Sequence, residues 1–125
     1  MSGIRTDNAP KPIGLYPHSR RVGNLLFLSG IGPRRADDNT IPGLELDSSG
    51  KIVKYDIELE CHSVFENIRS ILDDSGSGWD DIVDVTVFLT NMKDDFDIFN
   101  KIYSQYFQSN QPTRATVEVL SLPTP

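Results

Sequence analysis

Arg114 is the residue with the strongest claim to chemistry in this chain. It opens a β-branched run, Arg114-Ala115-Thr116-Val117-Glu118-Val119-Leu120, directly after Gln111-Pro112-Thr113. Alternation sets Ala115, Val117 and Val119 on one face and Arg114, Thr116, Glu118 and Leu120 on the other. A guanidinium in such a strand needs an anionic partner, because an unpaired charge taken out of water is costly. That partner is either a carboxylate of the protein (Glu118, Asp84 or one from another subunit) or the carboxylate of a substrate, which suits the two-pronged guanidinium fork.

Other chemistry-bearing residues have weaker claims. Ser29 ends an apolar run, but its flanks do not form the Gly-x-Ser-x-Gly elbow of a nucleophile, and no His/Asp pair completes a triad. Gly30-Ile31-Gly32-Pro33-Arg34-Arg35 follows a strand as a phosphate-cradling loop does. However, the third glycine is absent, Pro33 removes an N–H that a cradle uses, and no amphipathic helix follows. Its glycines read instead as places where the backbone passes close to a ligand or another chain. Cys61 and His62 are adjacent on a helical segment, diverge by about 100° and do not share a metal ion; no metal site is expected. His18 reads as a surface imidazole. Asp73-x-Ser75-x-Ser77-Gly78 lacks the closing glutamate of a calcium loop and reads as a helix-ending turn. The acidic pairs at 37–38, 73–74, 80–81 and 94–95 read as solvated turns and caps.

The elements that must position these residues can be placed from periodicity. Ile57, Cys61, Val64, Phe65, Ile68, Ile71 and Leu72 fall on one face of a helix, with Asp56 as N-cap and Gly76 as the stop. A second helix carries Phe96, Phe99, Ile102, Tyr103, Tyr106 and Phe107 on one stripe and is opened by Asp94 and Asp95. Strands are expected at 22–29, at 82–90 and at 114–120, with Gly23-Asn24 as a hairpin turn, a short partner upstream, a further short strand at 51–53 and a long loop at 30–50. The order predicts an α+β layer: one sheet with both helices on one face. Its other face would carry Asp84, Thr86, Arg114 and Thr116, and so calls for a wet cavity or a partner subunit.

Charge narrows the partners. The chain has 125 residues and a net charge of −6. Residues 1–35 hold six bases and one acid, a net of +5, which leaves −11 on the remainder. Such a body repels nucleic acid and anionic membrane, but a basic island remains for a small anion. One cysteine and no apolar stretch of signal or membrane-spanning length point to a single cytoplasmic domain over 1–125.

Five stretches carry a resemblance to a known family: Pro12-Ile13-Gly14-Leu15-Tyr16, Gly23-Asn24-Leu25-Leu26-Phe27-Leu28-Ser29-Gly30, residues 81–90, Phe96-x-x-Phe99-Asn100-x-x-Tyr103-x-x-Tyr106-Phe107, and Pro112-Thr113-Arg114 through Leu122-Pro123. In this order, over nearly the whole chain, they resemble the RidA/YjgF family of enamine/imine deaminases. Residues 29–35 and 17–21 are most similar to the bacterial 2-aminomuconate deaminases. The resemblance implies a chorismate-mutase-like α+β fold assembled as a homotrimer, or a dimer of trimers, with clefts between subunits and no cofactor. It places site residues at Tyr16, Ser29, Gly30, Asn100, Arg114 and Thr116. Thr116 stands where many relatives have cysteine. The family also has a strand after Leu-Pro bearing a glutamate that positions water; the sequence given ends at Pro125, before that position, so Arg114–Leu120 is expected as an uncovered edge.

The expected reaction is hydrolysis of a small dicarboxylate, 2-aminomuconate, to its oxo/hydroxy counterpart and ammonia. Arg114, Ser29 and Asn100 take the catalytic roles. Tyr16, Gly30, Gly32 and Thr116 line the substrate, and Arg20, Arg21, Arg34 or Arg35 takes the distal carboxylate. A general 2-imino acid deaminase and a non-enzymatic trimeric ligand-binding protein are the alternatives.

Overall fold

The computed structural model describes residues 3–125. Its elements run β1 (Ser19–Val22), β2 (Leu25–Leu28), β3 (Glu45–Leu46), β4 (Ile52–Lys54), α1 (Ile57–Asp74), a 3₁₀ turn (Trp79–Asp81), β5 (Asp84–Leu89), α2 (Met92–Tyr106) and β6 (Thr113–Glu118). The two long helices and the flanking strands fall where the periodicity places them. The sheet is the main difference: its strands pair as three separate two-stranded units instead of one. β1–β2 and β3–β4 are antiparallel, and β5–β6 is parallel, with α2 as its crossover. β3 went unpredicted because two residues carry no periodic signal.

Local chemistry explains the boundaries. Gly23 takes φ +59°, so the two-residue turn before β2 closes without a Cβ clash, and β1 is the upstream partner. Asp56 caps α1 by accepting from the Leu59 N–H at 3.1 Å, and the chain leaves the helix through Ser75 and Gly76, the latter at φ +75°. α2 starts earlier than its acidic pair suggests. Asn91 caps it through the Asp94 N–H, and Glu118, at the end of β6, accepts from the Met92 N–H at 2.9 Å. A carboxylate from a distant strand thus satisfies one of the free amides of the helix N-terminus.

The core lies between the helices and the inner face of β5. Cys61, Phe65, Leu89, Phe99, Ile102 and Phe107 are buried there, with Val85, Val87, Trp79, Tyr103 and Tyr106 packed around them. Phe65 sits at its centre, with ring centroids 4.5 Å from Tyr106 and 6.0 Å from Phe107. Burial pushes the Cys61 thiol up to about 12, with Glu60, Asp95 and Glu58 adding to the effect. The cysteine is therefore a core thiol, while the neighbouring His62 bonds the Tyr106 hydroxyl at 2.7 Å through Nδ1. Among the described residues no helix is long and apolar enough to cross a membrane.

Outer faces of the strands stay exposed and carry large apolar side chains among polar ones. Val22, Leu25 and Phe27 project from β1–β2, and Phe88 and Val117 from β5–β6. Among the described residues β5 is the one strand that pairs with β6.

Candidate active site

Five of the eleven predicted site residues come together in one shallow concavity: Tyr16, Ser29, Gly30, Gly32 and Arg34. Its wall is the junction of β2 with the following loop, facing the proline-rich segment from Pro10 to Pro17. Ser29 donates its hydroxyl to the Pro17 carbonyl at 2.7 Å and its N–H to the His18 carbonyl at 3.0 Å. This stitches strand end to lead-in segment, and it makes the hydroxyl a tie across the wall. The Tyr16 hydroxyl accepts from the Ile13 N–H at 3.3 Å, and Arg5 donates to the Tyr16 carbonyl at 3.2 Å.

His18 corrects the expectation of a surface imidazole. It is buried, because residues 3–12 fold back over it. Nδ1 accepts from the Thr6 N–H at 3.2 Å, which fixes the tautomer so that Nε2 donates to the Pro10 carbonyl at 2.7 Å. Both ring nitrogens are engaged, so His18 holds the wall together and has no free nitrogen for proton transfer. The lead-in segment is secured further down α1, where Asp74 accepts from the Thr6 hydroxyl and, at 2.8 Å, from the Asn8 amide.

The loop after β2 is held by two α1 residues that sequence reasoning passed over. Asn67, buried, donates its amide to the carbonyls of Gly32 (3.0 Å) and Arg34 (2.8 Å), and Ser63 donates to that of Pro33 at 2.7 Å. Three consecutive carbonyls are thereby tied to one helix face by residues four apart. The available signal was two polar residues one turn apart on the flank of an otherwise apolar helix. Beside the loop there is room: a Cβ added at Gly30 would meet nothing within 4 Å, and at Gly32 only the Thr124 hydroxyl at 3.9 Å.

The basic island disperses. Arg34 alone of the predicted cations lines the concavity, and its terminal nitrogens are bonded to the Lys11 carbonyl at 2.9 Å and the Asn39 side chain at 3.3 Å. Arg35 turns to Thr40 at 2.6 Å and Arg21 to the Ser75 carbonyl at 3.1 Å. Arg20 lies on the exposed outer face opposite Phe27. Neighbouring positions on strand and loop diverge in direction, so sequence proximity did not become a charge cluster.

Arg114, Asn100 and Thr116 do not line this concavity. They form a second region on α2 and β6. The face assignment is also corrected. In the parallel register Arg114 pairs with Val85 and Thr116 with Val87, on the helix-facing side, whereas Asp84 and Thr86 pair with Thr113 and Ala115 on the outer side. Neither suggested internal carboxylate meets Arg114: Glu118 bonds the Met92 N–H, and Asp84 accepts from Thr113 at 2.7 Å. The guanidinium instead lies over aromatic rings of α2, with its central carbon 4.6 Å from the Tyr103 centroid, 5.3 Å from Phe99 and 5.9 Å from Phe96. Ring faces carry partial negative charge, so they accept a cation without a counter-ion. Among the described residues the guanidinium makes no hydrogen bond, and the Tyr103 hydroxyl is buried without a partner. Burial raises the Tyr103 phenol above its ordinary value, and the Arg114 charge offsets part of that. Asn100 is exposed on α2.

One region thus offers a shaped backbone wall, and the other a fixed cation with free donors. Comparisons with known proteins agree on what kind of chain this is. The family model described as Endoribonuclease L-PSP matches residues 6–125. A RutC family protein of Pyrococcus abyssi is 42% identical over 120 residues, 96% of this chain and 85% of the relative. The chloroplastic Reactive Intermediate Deaminase A of Arabidopsis thaliana is 32% identical over 96% of this chain and 58% of its own length. The crystal structure of E. coli TdcF with bound serine superposes with a TM-score of 0.83, at 31% identity, covering 98% of this chain and 89% of that one.

Proposed function

The chain belongs to the Endoribonuclease L-PSP family, with the α+β fold of the YjgF/RidA proteins, and we propose that it is a cytoplasmic imine deaminase acting on small 2-imino acids. The observation that carries this reading is the Arg114 guanidinium, held on aromatic faces with all its N–H donors free. Such a group is built to grip a carboxylate in two parallel hydrogen bonds. With the carboxylate fixed, the adjacent C=N carbon is fixed too, and the entropy of aligning it with water falls on binding. An enamine first tautomerises to the imine. Water adds to the imine carbon, forming a C–O bond as the nitrogen gains a proton. The resulting carbinolamine expels ammonia as its C–N bond breaks, leaving the 2-oxo acid. Thr116 and Asn100 offer a hydroxyl and an amide on the same side as Arg114.

A homotrimer unites the two regions in this reading. The exposed apolar strand faces supply an interface, and the open space beside Gly30 and Gly32 admits a neighbouring chain carrying Arg114. Light scattering is expected to return three times the 14.0 kDa chain mass.

The dicarboxylate 2-aminomuconate makes a heavier demand, because it needs a second cation. Arg34 is the one available in the concavity, and both its terminal nitrogens are occupied. Substrates with one carboxylate are therefore the class favoured, with 2-aminomuconate as the finer alternative. RNA cleavage, which the family description names, fits poorly with a body that carries −11 outside its first 35 residues.

The test is to generate 2-imino acids in situ with an amino-acid oxidase and to follow loss of the C=N absorbance with release of ammonia. Turnover proportional to protein concentration is expected. Decay at the uncatalysed rate at every protein concentration leaves a ligand-binding protein and overturns the reading. Arg34→Ala should impair 2-aminomuconate selectively if the dicarboxylate reading holds.

A further inference from the structure

The arginines of this chain are held in two ways. Arg5, Arg21, Arg34 and Arg35 each donate to a backbone or side-chain oxygen. Arg69 and Arg114 lie instead over ring faces: Arg69 over Trp79 alone, 4.8 Å from its centroid, and Arg114 over three rings spaced 96, 99 and 103 along α2, a stripe on one side of the helix. The nearest of these rings, Tyr103, is itself locked. It stacks on Phe107 with centroids 4.3 Å apart and planes 28° apart, and lies 5.7 Å from Phe99 and 6.2 Å from Phe65. A guanidinium resting on that bed can move little out of plane, while the donors around its edge stay free.

We propose that Tyr103 is the positioning residue of the anion site: its ring face sets the plane of the Arg114 guanidinium and so aims the fork at an incoming carboxylate. The inference rests on the reading of Arg114 as the carboxylate clamp. The hydroxyl of Tyr103 is closed off from solvent and has no partner. It therefore offers a ligand no hydrogen bond, and the ring acts on the anion through the guanidinium that rests on it. The ring is the working part and the hydroxyl is dispensable, so Phe and Leu substitutions separate the two.

The probe is pyruvate, an unreactive 2-oxo acid with one carboxylate, titrated by calorimetry into the full chain. The second readout is the Arg114 Nε–H resonance in arginine-labelled protein, which a ring face shifts upfield. Tyr103→Phe should keep the shift and bind within about twofold of wild type, whereas Tyr103→Leu should lose the shift and weaken binding roughly tenfold, the size of a desolvated cation–ring contact. Wild-type affinity and resonance in Tyr103→Leu overturn the proposal, as does a Phe variant as weak as the Leu variant. If Tyr103→Leu fails to fold by circular dichroism, Phe96→Leu, at the half-buried rim of the bed, carries the test. It should move the resonance and weaken pyruvate roughly threefold, and no change in either overturns the proposal. Arg114→Ala tells the two readings apart. If it binds pyruvate like wild type, the clamp reading fails and this proposal with it. If it abolishes binding while Tyr103→Leu does not, positioning fails alone.

Discussion

The two regions of the site differ in what their polar groups are already doing. Around Ser29, Tyr16, His18 and Arg34, the hydroxyls, imidazole and guanidinium are bonded within the chain, mostly to backbone carbonyls and amides. Around Arg114 the cation and the Tyr103 hydroxyl have no such bonds. A group bonded inside the protein gains little from a ligand, since one hydrogen bond is broken for each one made. An uncommitted guanidinium realises the full interaction. The first region therefore shapes the cleft, and the second supplies the anion affinity.

The sharpest way to break that division is Arg114→Ala. Loss of the clamp should lower kcat/KM for a 2-imino acid by about 10²–10³-fold, the cost of removing one preorganised electrostatic group. The thermal melt should shift by no more than about 1 kcal/mol, because ring contacts are all that the fold loses. Arg114→Lys restores charge without the fork and should recover only a small part of the rate. Full turnover in the Ala variant would place the anion elsewhere.

In the first region the larger effects should come from the groups that hold the wall. Asn67→Ala leaves the Gly32 and Arg34 carbonyls without their buried donor, and should cost about 1–3 kcal/mol in denaturant unfolding. A looser loop should also lower kcat/KM, by roughly tenfold. Ser29→Ala removes the bond to Pro17 and should cost about 1 kcal/mol with turnover kept within a few-fold. Complete loss of turnover with a normal melt would make Ser29 a participant in the chemistry and erase the contrast.

The sequence was most informative where structure is local. The apolar spacing of α1 and its Asp56 cap involve residues within one turn of each other, so both boundaries were legible. Contacts between distant segments were not. His18 looked like a surface imidazole because its partners, Thr6 and Pro10, belong to a strap whose path no periodicity encodes. Asp94 and Asp95 do lie in the first turn of α2, but the helix starts two residues earlier, where the Met92 N–H is taken by Glu118, 26 residues away. Alternation on β6 separated its two faces correctly but could not say which one met the helices. Ala115, Val117 and Val119 are the more apolar set, yet the helix-facing side takes Arg114, because the ring stripe of α2 accepts a flat cation. That stripe and Arg114 were each visible in the sequence, and only packing brings them together. The same holds for the basic island: six bases in 35 residues are a fact of composition, while their directions depend on which carbonyls lie near.

Glu60 belongs to neither region, which makes it a control on the comparison. It is half-buried on the first turns of α1. Burial pushes its carboxyl up to about 7, with the charges of Asp95 and Asp56 adding to the effect. A carboxyl raised from its unfolded value of about 4.5 keeps its proton in the folded state over the window between the two values. There the folded chain binds more protons than the unfolded one, so stability falls as pH rises from about 4.5 through about 7. Asp95, raised by its own burial while accepting from the Tyr55 hydroxyl at 2.9 Å, adds a decline of the same sign. Melts taken across that window should show Tm dropping with pH in the wild type, and Glu60→Gln, neutral throughout, should flatten the slope and raise Tm at its upper end. A variant whose curve runs parallel to the wild type would mean that Glu60 is ionised in the folded state. The pH profile of turnover should be the same in both proteins. If it moved with Glu60, the helix N-termini would be coupled to the anion site, and the division between a wall and a clamp would need a third part.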